Sequence, residues 1–215
     1  MRNDLFRLTG ICCGLLALLL TGLVVTGWQP LLTYDGQLAR DLHAHAVTHP
    51  GTTHLMRVLS DWVWDPWTMR LLAAVACVLL WWHGDRDRAL RVAVAALAAS
   101  VVQQGMKAAV GRERPVWPDP VDSAHFAAYP SGHAMTATVV CGLLLWLLPR
   151  PAPKWAPVAW VLAAVSVLGV GFTRLYLGVH WFSDVLAGWL LGVAVVVLAA
   201  CVPVRGRGRR EAVER

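Results

Sequence analysis

The sequence contains few charged residues and no cysteine pattern that predicts a disulfide framework. Of its 215 residues, 15% are charged and 57% are hydrophobic. The apolar residues form long blocks, which exclude an ordinary soluble domain and predict an all-α, polytopic membrane protein. The five cysteines lie inside these blocks, where cysteine usually acts as a small buried hydrophobic residue: they are Cys12, Cys13, Cys77, Cys141 and Cys201.

Six apolar blocks predict a six-transmembrane-helix bundle that forms a single domain over residues 1–203. The predicted spans are about 8–28, 67–82, 89–109, 133–148, 155–173 and 184–203, and a basic cytoplasmic tail covers 204–215. The first block is followed by no small-x-small cleavage site, which favours an uncleaved anchor over a signal peptide. In the sixth block, Gly188-x3-Gly192 predicts close helix packing within the bundle.

The net charge of +6 is better explained by membrane topology than by binding to nucleic acid. With six spans, both termini lie on one side of the membrane. Twelve of the 19 Lys and Arg residues fall on that side: Arg2, Arg7, Arg86, Arg88, Arg91, Arg150, Lys154, Arg205, Arg207, Arg209, Arg210 and Arg215. Seven fall on the other: Arg40, Arg57, Arg70, Lys107, Arg112, Arg114 and Arg174. This bias predicts cytoplasmic termini.

Residues 29–66 form a mixed outer segment, in which Leu38–Val47 is predicted as a short interfacial helix. The segment contains four histidines, but no cysteine or carboxylate completes a recognisable metal-ligand pattern with them. We therefore predict no metal site there. The histidines are His43, His45, His49 and His54.

Polar residues concentrate at four span ends that share the outer face. Lys107 and Arg114 follow the third span, where cations either anchor the interface or bind an anion. Arg174 ends the fifth span, and its planar fork of donors suits a phosphate or a carboxylate. His180 and Asp184 are four residues apart and would share one helix face, so the carboxylate can hold one imidazole nitrogen and leave the other free as a base or nucleophile.

The fourth span begins with Pro130-Ser131-Gly132-His133. A helix N-terminus presents free N–H groups to an anion, and Gly132 lets the backbone approach it closely. Ser131 is suited to cap the helix or to donate to an oxygen, and His133 is placed to protonate a leaving group. Cations, a helix N-terminus and two histidines on one face predict phosphoryl transfer without a metal, and no acidic cluster suited to magnesium accompanies them.

Together these motifs resemble the signature of the type 2 phosphatidic acid phosphatase superfamily in order, spacing and membrane placement. The signature reads Lys-x6-Arg-Pro, Pro-Ser-Gly-His and Ser-Arg-x5-His-x3-Asp. Its counterparts here are Lys107…Arg114-Pro115, Pro130-Ser131-Gly132-His133 and Thr173-Arg174…His180…Asp184. Thr173 replaces the usual serine and keeps a hydroxyl.

The resemblance implies a role for each matching residue. His180 would be the nucleophile that forms a phosphohistidine, Asp184 would orient it, and His133 would protonate the leaving group. The implied phosphate-binding residues are Lys107, Arg114, Ser131, Gly132 and Arg174. Because His180 must be neutral and His133 protonated, a bell-shaped pH dependence is expected.

The resemblance also implies a cofactor-independent lipid phosphatase of a bacterial plasma membrane whose site faces away from the cytoplasm. Substrates of the family include phosphatidic acid, phosphatidylglycerol phosphate and undecaprenyl diphosphate. Two alternatives stay open: a lipid head-group phosphotransferase that uses the same histidine, and a non-enzymatic lipid-binding or transport protein. The choice of head group would depend on the outer segments 29–66 and 116–129.

Overall fold

The computed structural model describes residues 2–149 and 151–201. Within these ranges the chain forms eight α-helices, one π-helical turn and no β-strand, which confirms the all-helical prediction. The helices are α1 (Arg2–Val25), α2 (Gln29–Thr48), α3 (Pro50–Val58), α4 (Pro66–Trp82), α5 (Arg86–Val110), α6 (Gly132–Trp146), α7 (Ala156–Tyr176) and α8 (Phe182–Cys201); the π-helical turn, Leu59–Val63, follows α3 directly. The predicted basic tail lies outside the described residues.

Five helical segments of the described chain are long and apolar enough to cross a membrane: Asp4–Val25, Pro50–Trp82, Arg86–Val110, Ala156–Tyr176 and Phe182–Cys201. Helix α6 is apolar but shorter, with 15 residues. Large hydrophobic side chains are exposed along α1, α4, α5 and α7, as expected for helices whose outer faces meet lipid. The chain is thus a polytopic helical membrane protein, as predicted.

Local sequence signals explain where several helices begin and end. Pro66 occupies the first turn of α4, and the side chain of Asp65 accepts a hydrogen bond from the backbone N–H of Trp67 at 2.6 Å. Asp85 caps α5 in the same way, through the backbone N–H of Arg88. Helix α5 ends at Val110, and the residue that follows it, Gly111, has a φ of 58°, in the left-handed region that glycine adopts without strain.

The prediction of a short interfacial helix at Leu38–Val47 was wrong in extent. The observed α2 covers Gln29–Thr48 and buries one stripe of residues at helical spacing: Asp35, Ala39, His43 and Ala46. Two of these four residues are polar, so the sequence pattern does not predict a hydrophobic helix face here. Helix α2 therefore packs on the bundle and contributes residues to its interior.

The histidines of α2 make contacts within the protein. His43 bonds to the carboxylate of Asp119 at 3.2 Å and stacks on Trp117 with ring centroids 4.0 Å apart. His45 bonds to the hydroxyl of Tyr176 at 3.0 Å. Among the described residues, no group of three or more His, Cys, Asp or Glu side chains is arranged to hold a metal ion.

Helices α6 and α8 form the centre of the bundle because small residues let their backbones approach closely. A Cβ added at Gly188 would lie 2.7 Å from the carbonyl oxygen of Ser131, and one added at Gly192 would lie 2.6 Å from Cβ of Thr138. The predicted packing of Gly188-x3-Gly192 within the bundle is confirmed. The backbone N–H of Ser131 also donates to the carbonyl of Asp184 at 2.9 Å, so the first turns of α6 and α8 are held together.

Candidate active site

His180 and Asp184 meet across a turn between two helices. Helix α7 ends at Tyr176 and α8 begins at Phe182, so His180 precedes the helix and Asp184 lies in its first turn. The expectation that both residues share one helix face was therefore wrong, although Nδ1 of His180 lies 3.2 Å from Oδ2 of Asp184. The same oxygen accepts the backbone N–H of Trp181 at 2.9 Å, and this bond fixes the carboxylate toward the turn.

The contacts of His180 fit a neutral imidazole whose Nε2 lone pair faces Arg114. If Nδ1–H donates to Asp184, Nε2 is unprotonated, and it lies 3.1 Å from Nη1 of Arg114, which is a donor. Burial lowers the pKa of His180 well below its ordinary value, and the charges of Arg114, Arg174 and Lys107 lower it further. The side chain of His180 is 2% exposed.

Two of the predicted cations come from α5 and the loop that follows it. Lys107 lies in the last turn of α5 and donates to the backbone carbonyl of Ala127. Nε of Arg114 donates to the carbonyl of Phe126 at 2.6 Å. Burial, and then the charge of Arg174, lower the pKa of Arg114 to about 10, so its guanidinium stays charged at neutral pH.

The third predicted cation, Arg174, is buried in the last turn of α7. Its Nη1 donates to Oγ of Ser60 at 2.7 Å, and the carboxylates of Asp122 and Asp61 lie 3.7 and 3.9 Å away. Its Nε is buried without a hydrogen-bond partner in the described part of the chain. Because a buried donor without a partner is costly, this nitrogen is available to a ligand oxygen.

The segment before α6 presents a second unpartnered polar atom. Ser131 is the residue that precedes the helix, but its side chain makes no capping bond, and its Oγ is buried with no partner among residues 2–149 and 151–201. A Cβ at Gly132 would lie 2.5 Å from Nε2 of Gln103, so this position has no room for a side chain. The half-buried His133 follows in the first turn of α6 and lies within electrostatic range of His180.

All eight residues singled out in the sequence thus lie at one end of the bundle. Two further residues there, Arg112 and Asp35, carry no signal of their own in the sequence. Arg112 donates to Oδ1 of Asp184 at 2.7 Å and to Oδ2 of Asp35 at 2.8 Å, and Asp35 also accepts the backbone N–H of Ser183 at 2.9 Å. In the sequence, Arg112 is only one of seven basic residues on the predicted outer side, and Asp35 lies in the mixed segment 29–66.

The fold and site define a helical membrane protein with a histidine–carboxylate pair beside a cluster of cations, in which two buried polar atoms lack partners among the described residues. Residues 88–207 match the model of the PAP2 superfamily, and the chain belongs to that superfamily, which confirms the predicted resemblance.

Two relatives have names that state an activity. The chain is 30% identical over 155 residues to an undecaprenyl-diphosphatase of Sulfolobus acidocaldarius, covering 68% of this chain and 66% of that protein. It is 34% identical over 96 residues to phosphatidylglycerophosphatase B of Bacillus subtilis, covering 43% of this chain and 47% of that protein. The matches therefore leave at least a third of each relative's own length unaligned.

A solved structure shares the fold. It is the crystal structure of a transmembrane PAP2-type phosphatidylglycerolphosphate phosphatase from Bacillus subtilis, with a TM-score of 0.70 and 21% sequence identity. The superposition covers 96% of this chain and 98% of that chain. At this identity the likeness supports the fold alone.

Proposed function

We propose that the protein is an integral membrane lipid phosphatase that acts without a metal through a phosphohistidine intermediate. The observation that carries the proposal is the environment of His180: Nδ1 faces Asp184 at 3.2 Å, and Nε2 faces the guanidinium of Arg114 at 3.1 Å. A phosphate group that reaches Nε2 meets a positive charge at the same point. Phosphoryl transfer needs positioning and charge stabilisation of this kind.

The reaction proceeds in two displacements. Nε2 of His180 attacks phosphorus, the bond from phosphorus to the lipid oxygen breaks, and His133 gives its proton to that oxygen. Asp184 holds Nδ1–H and stabilises the positive charge that develops on the imidazole. Water then attacks the phosphohistidine and gives its proton to His133, which releases phosphate and restores both histidines.

The phosphate oxygens bind to the remaining predicted residues. Lys107, Arg114 and Arg174 supply positive charge, and the backbone N–H of Gly132 lies at the N-terminus of α6, where helix N–H groups point at an anion. The partnerless Oγ of Ser131 and Nε of Arg174 support this assignment, since each gains a hydrogen bond only when a ligand is present.

The names of the relatives support undecaprenyl diphosphate and phosphatidylglycerol phosphate as substrates, and phosphatidic acid completes the set proposed from the sequence. We further propose that the protein resides in the plasma membrane, with cytoplasmic termini and an outward-facing site. The excess of Lys and Arg on the terminal side supports this orientation.

The test is phosphate release by the purified protein in detergent with excess EDTA, measured on each of the three lipids. We expect release from at least one lipid and complete loss in His180→Ala. His83→Ala, an exposed histidine in the α4–α5 turn, is the matched control and should keep full activity.

Other results would contradict the proposal. Full activity in His180→Ala would remove the assigned nucleophile, and release that stops with EDTA would contradict metal independence. A modified lipid without free phosphate would instead identify a phosphotransferase. Lipid binding without any turnover would identify a binding or transport protein.

A further inference from the structure

Asp35 of α2 is a buried carboxylate that none of the signature motifs contains. It is 1% exposed. Its Oδ1 accepts the backbone N–H of Ser183 at 2.9 Å, and its Oδ2 accepts Oγ–H of Ser183 at 2.5 Å and Nη2–H of Arg112 at 2.8 Å. Residue 35 also lies outside the range 88–207 that matches the family.

Arg112 connects Asp35 to the proposed catalytic pair. Its Nη1 donates to Oδ1 of Asp184 at 2.7 Å, and the other oxygen of Asp184 faces Nδ1 of His180. A continuous chain of hydrogen bonds therefore runs from α2 through the loop after α5 to the start of α8. A guanidinium forks in one plane, so a carboxylate that holds one nitrogen determines where the other points.

The charges in this chain explain why a second carboxylate is needed. With Asp184 alone, the positive charge of Arg112 would neutralise the carboxylate that has to stabilise a positive imidazole. Asp35 supplies a second negative charge, so the group of Asp35, Arg112 and Asp184 keeps a net charge of about −1 when all three are ionised. That remaining charge faces His180.

We infer that Asp35 is a positioning residue for the phosphoryl transfer, which acts through Arg112 to hold Asp184 in place and negatively charged beside His180. The inference rests on the proposed function. Asp35 touches neither His180 nor the cations assigned to phosphate, so its loss should impair the chemical step and leave substrate binding intact.

The first experiment measures steady-state phosphate release by Asp35→Asn in detergent, on the lipid that the unmodified protein hydrolyses. The side-chain NH2 group of asparagine is a donor and would face the donors of Arg112 or Ser183, so at least one of these hydrogen bonds would be lost. We expect kcat to fall by about 10- to 100-fold, by analogy with the loss of outer-shell hydrogen-bond partners of metal-ligating histidines, with KM within twofold. Asp41→Asn, an exposed aspartate of the same helix, should behave like the unmodified protein.

A double variant guards against misfolding of Asp35→Asn. Asp35→Asn combined with Arg112→Gln removes one negative and one positive charge together, so the buried group keeps its net charge of about −1, which then rests on Asp184 alone. We expect it to elute as a monodisperse peak in size-exclusion chromatography and to show the same loss of kcat at unchanged KM. A kcat within twofold of the unmodified protein, in this variant or in Asp35→Asn, would overturn the inference.

The second experiment measures the tautomer of the His180 imidazole by NMR in the absence of substrate. In protein labelled with ¹⁵N-histidine, the His180 signal is assigned by its loss in His180→Ala, and we expect the Nδ1–H tautomer. Asp35→Asn should show a mixture of tautomers. If Asp35→Asn keeps the single Nδ1–H form, this result alone would overturn the role of Asp35. Absence of phosphate release by the unmodified protein would instead overturn the proposed function.

Discussion

Arg112 and Arg174 lie at the same end of the bundle, and the surroundings of these two arginines, whose side chains are 12% and 5% exposed, differ. Arg112 has carboxylate oxygens of Asp184 and Asp35 at 2.7 and 2.8 Å, both within hydrogen-bond length. The carboxylates nearest to Arg174 belong to Asp122 and Asp61 and lie 3.7 and 3.9 Å away. Both terminal nitrogens of Arg112 thus bond to the protein itself, whereas Arg174 keeps a donor for a ligand.

This difference shows that an arginine beside the proposed catalytic pair is not by itself evidence of an anion site. The carboxylates around Arg112 are at most 1% exposed, but Asp122 and Asp61 are 15% and 48% exposed. Water can screen the charges of Asp122 and Asp61, and it can hydrate these carboxylates when Arg174 binds a ligand instead. We therefore expect the two arginines to respond differently to the same substitution.

The largest expected effect is on stability, in Arg112→Met. The substitution strands two buried carboxylates, and breaking a buried ion pair from one side typically costs about 3–5 kcal/mol. Thermal unfolding in detergent should show a lower midpoint for Arg112→Met than for Arg174→Met, whose carboxylates reach water. Equal midpoints for the two variants would show that the two arginines contribute equally to stability.

The next effect is on turnover, in Arg174→Met. Loss of a donor aimed at the charge that develops during reaction lowers kcat by about 10²–10³-fold. We expect this loss in a protein that still elutes as a folded species and unfolds near the unmodified midpoint. A fall in activity that merely tracks loss of folded protein would make Arg174 structural, like Arg112.

The third effect is on pH dependence. His180 must be neutral to attack, and its lowered pKa keeps it neutral below its ordinary value of about 6.5. The acid limb of kcat/KM should therefore lie below that pH. Arg114→Gln removes the charge nearest to Nε2, which raises the pKa of His180 and moves the acid limb to higher pH. An acid limb that stays fixed in this variant would assign it to another group.

The smallest effect is expected in Asp122→Asn, which removes a carboxylate that competes with phosphate for Arg174. A partly exposed ion pair contributes about 0.2–1 kcal/mol. We accordingly expect KM to fall by up to about fivefold at unchanged kcat. Steady-state kinetics with Asp87→Asn as an exposed control measure this, and a higher KM would mean that Asp122 assists the substrate instead.

The sequence predicted the helical membrane fold and the group of motif residues because both depend on local information. Apolar blocks indicate helices. Because successive spans alternate in direction, the C-terminal ends of α5 and α7 and the N-terminal ends of α6 and α8 come to one face. Arg112 and Asp35 escaped prediction because their contact depends on how α2 packs against the start of α8. The turn that holds His180 was missed because spacing alone does not say where a helix begins.

The position of Asp35 also limits how the protein can be divided. A fragment cut to residues 88–207 would retain every motif residue, yet it would lose the carboxylate that balances Arg112. It would also lose Thr21 of α1, whose hydroxyl lies 2.8 Å from that of Tyr129. The N-terminal helices are therefore not an interchangeable membrane tether, and a graft that keeps the motifs alone would transplant an incomplete site.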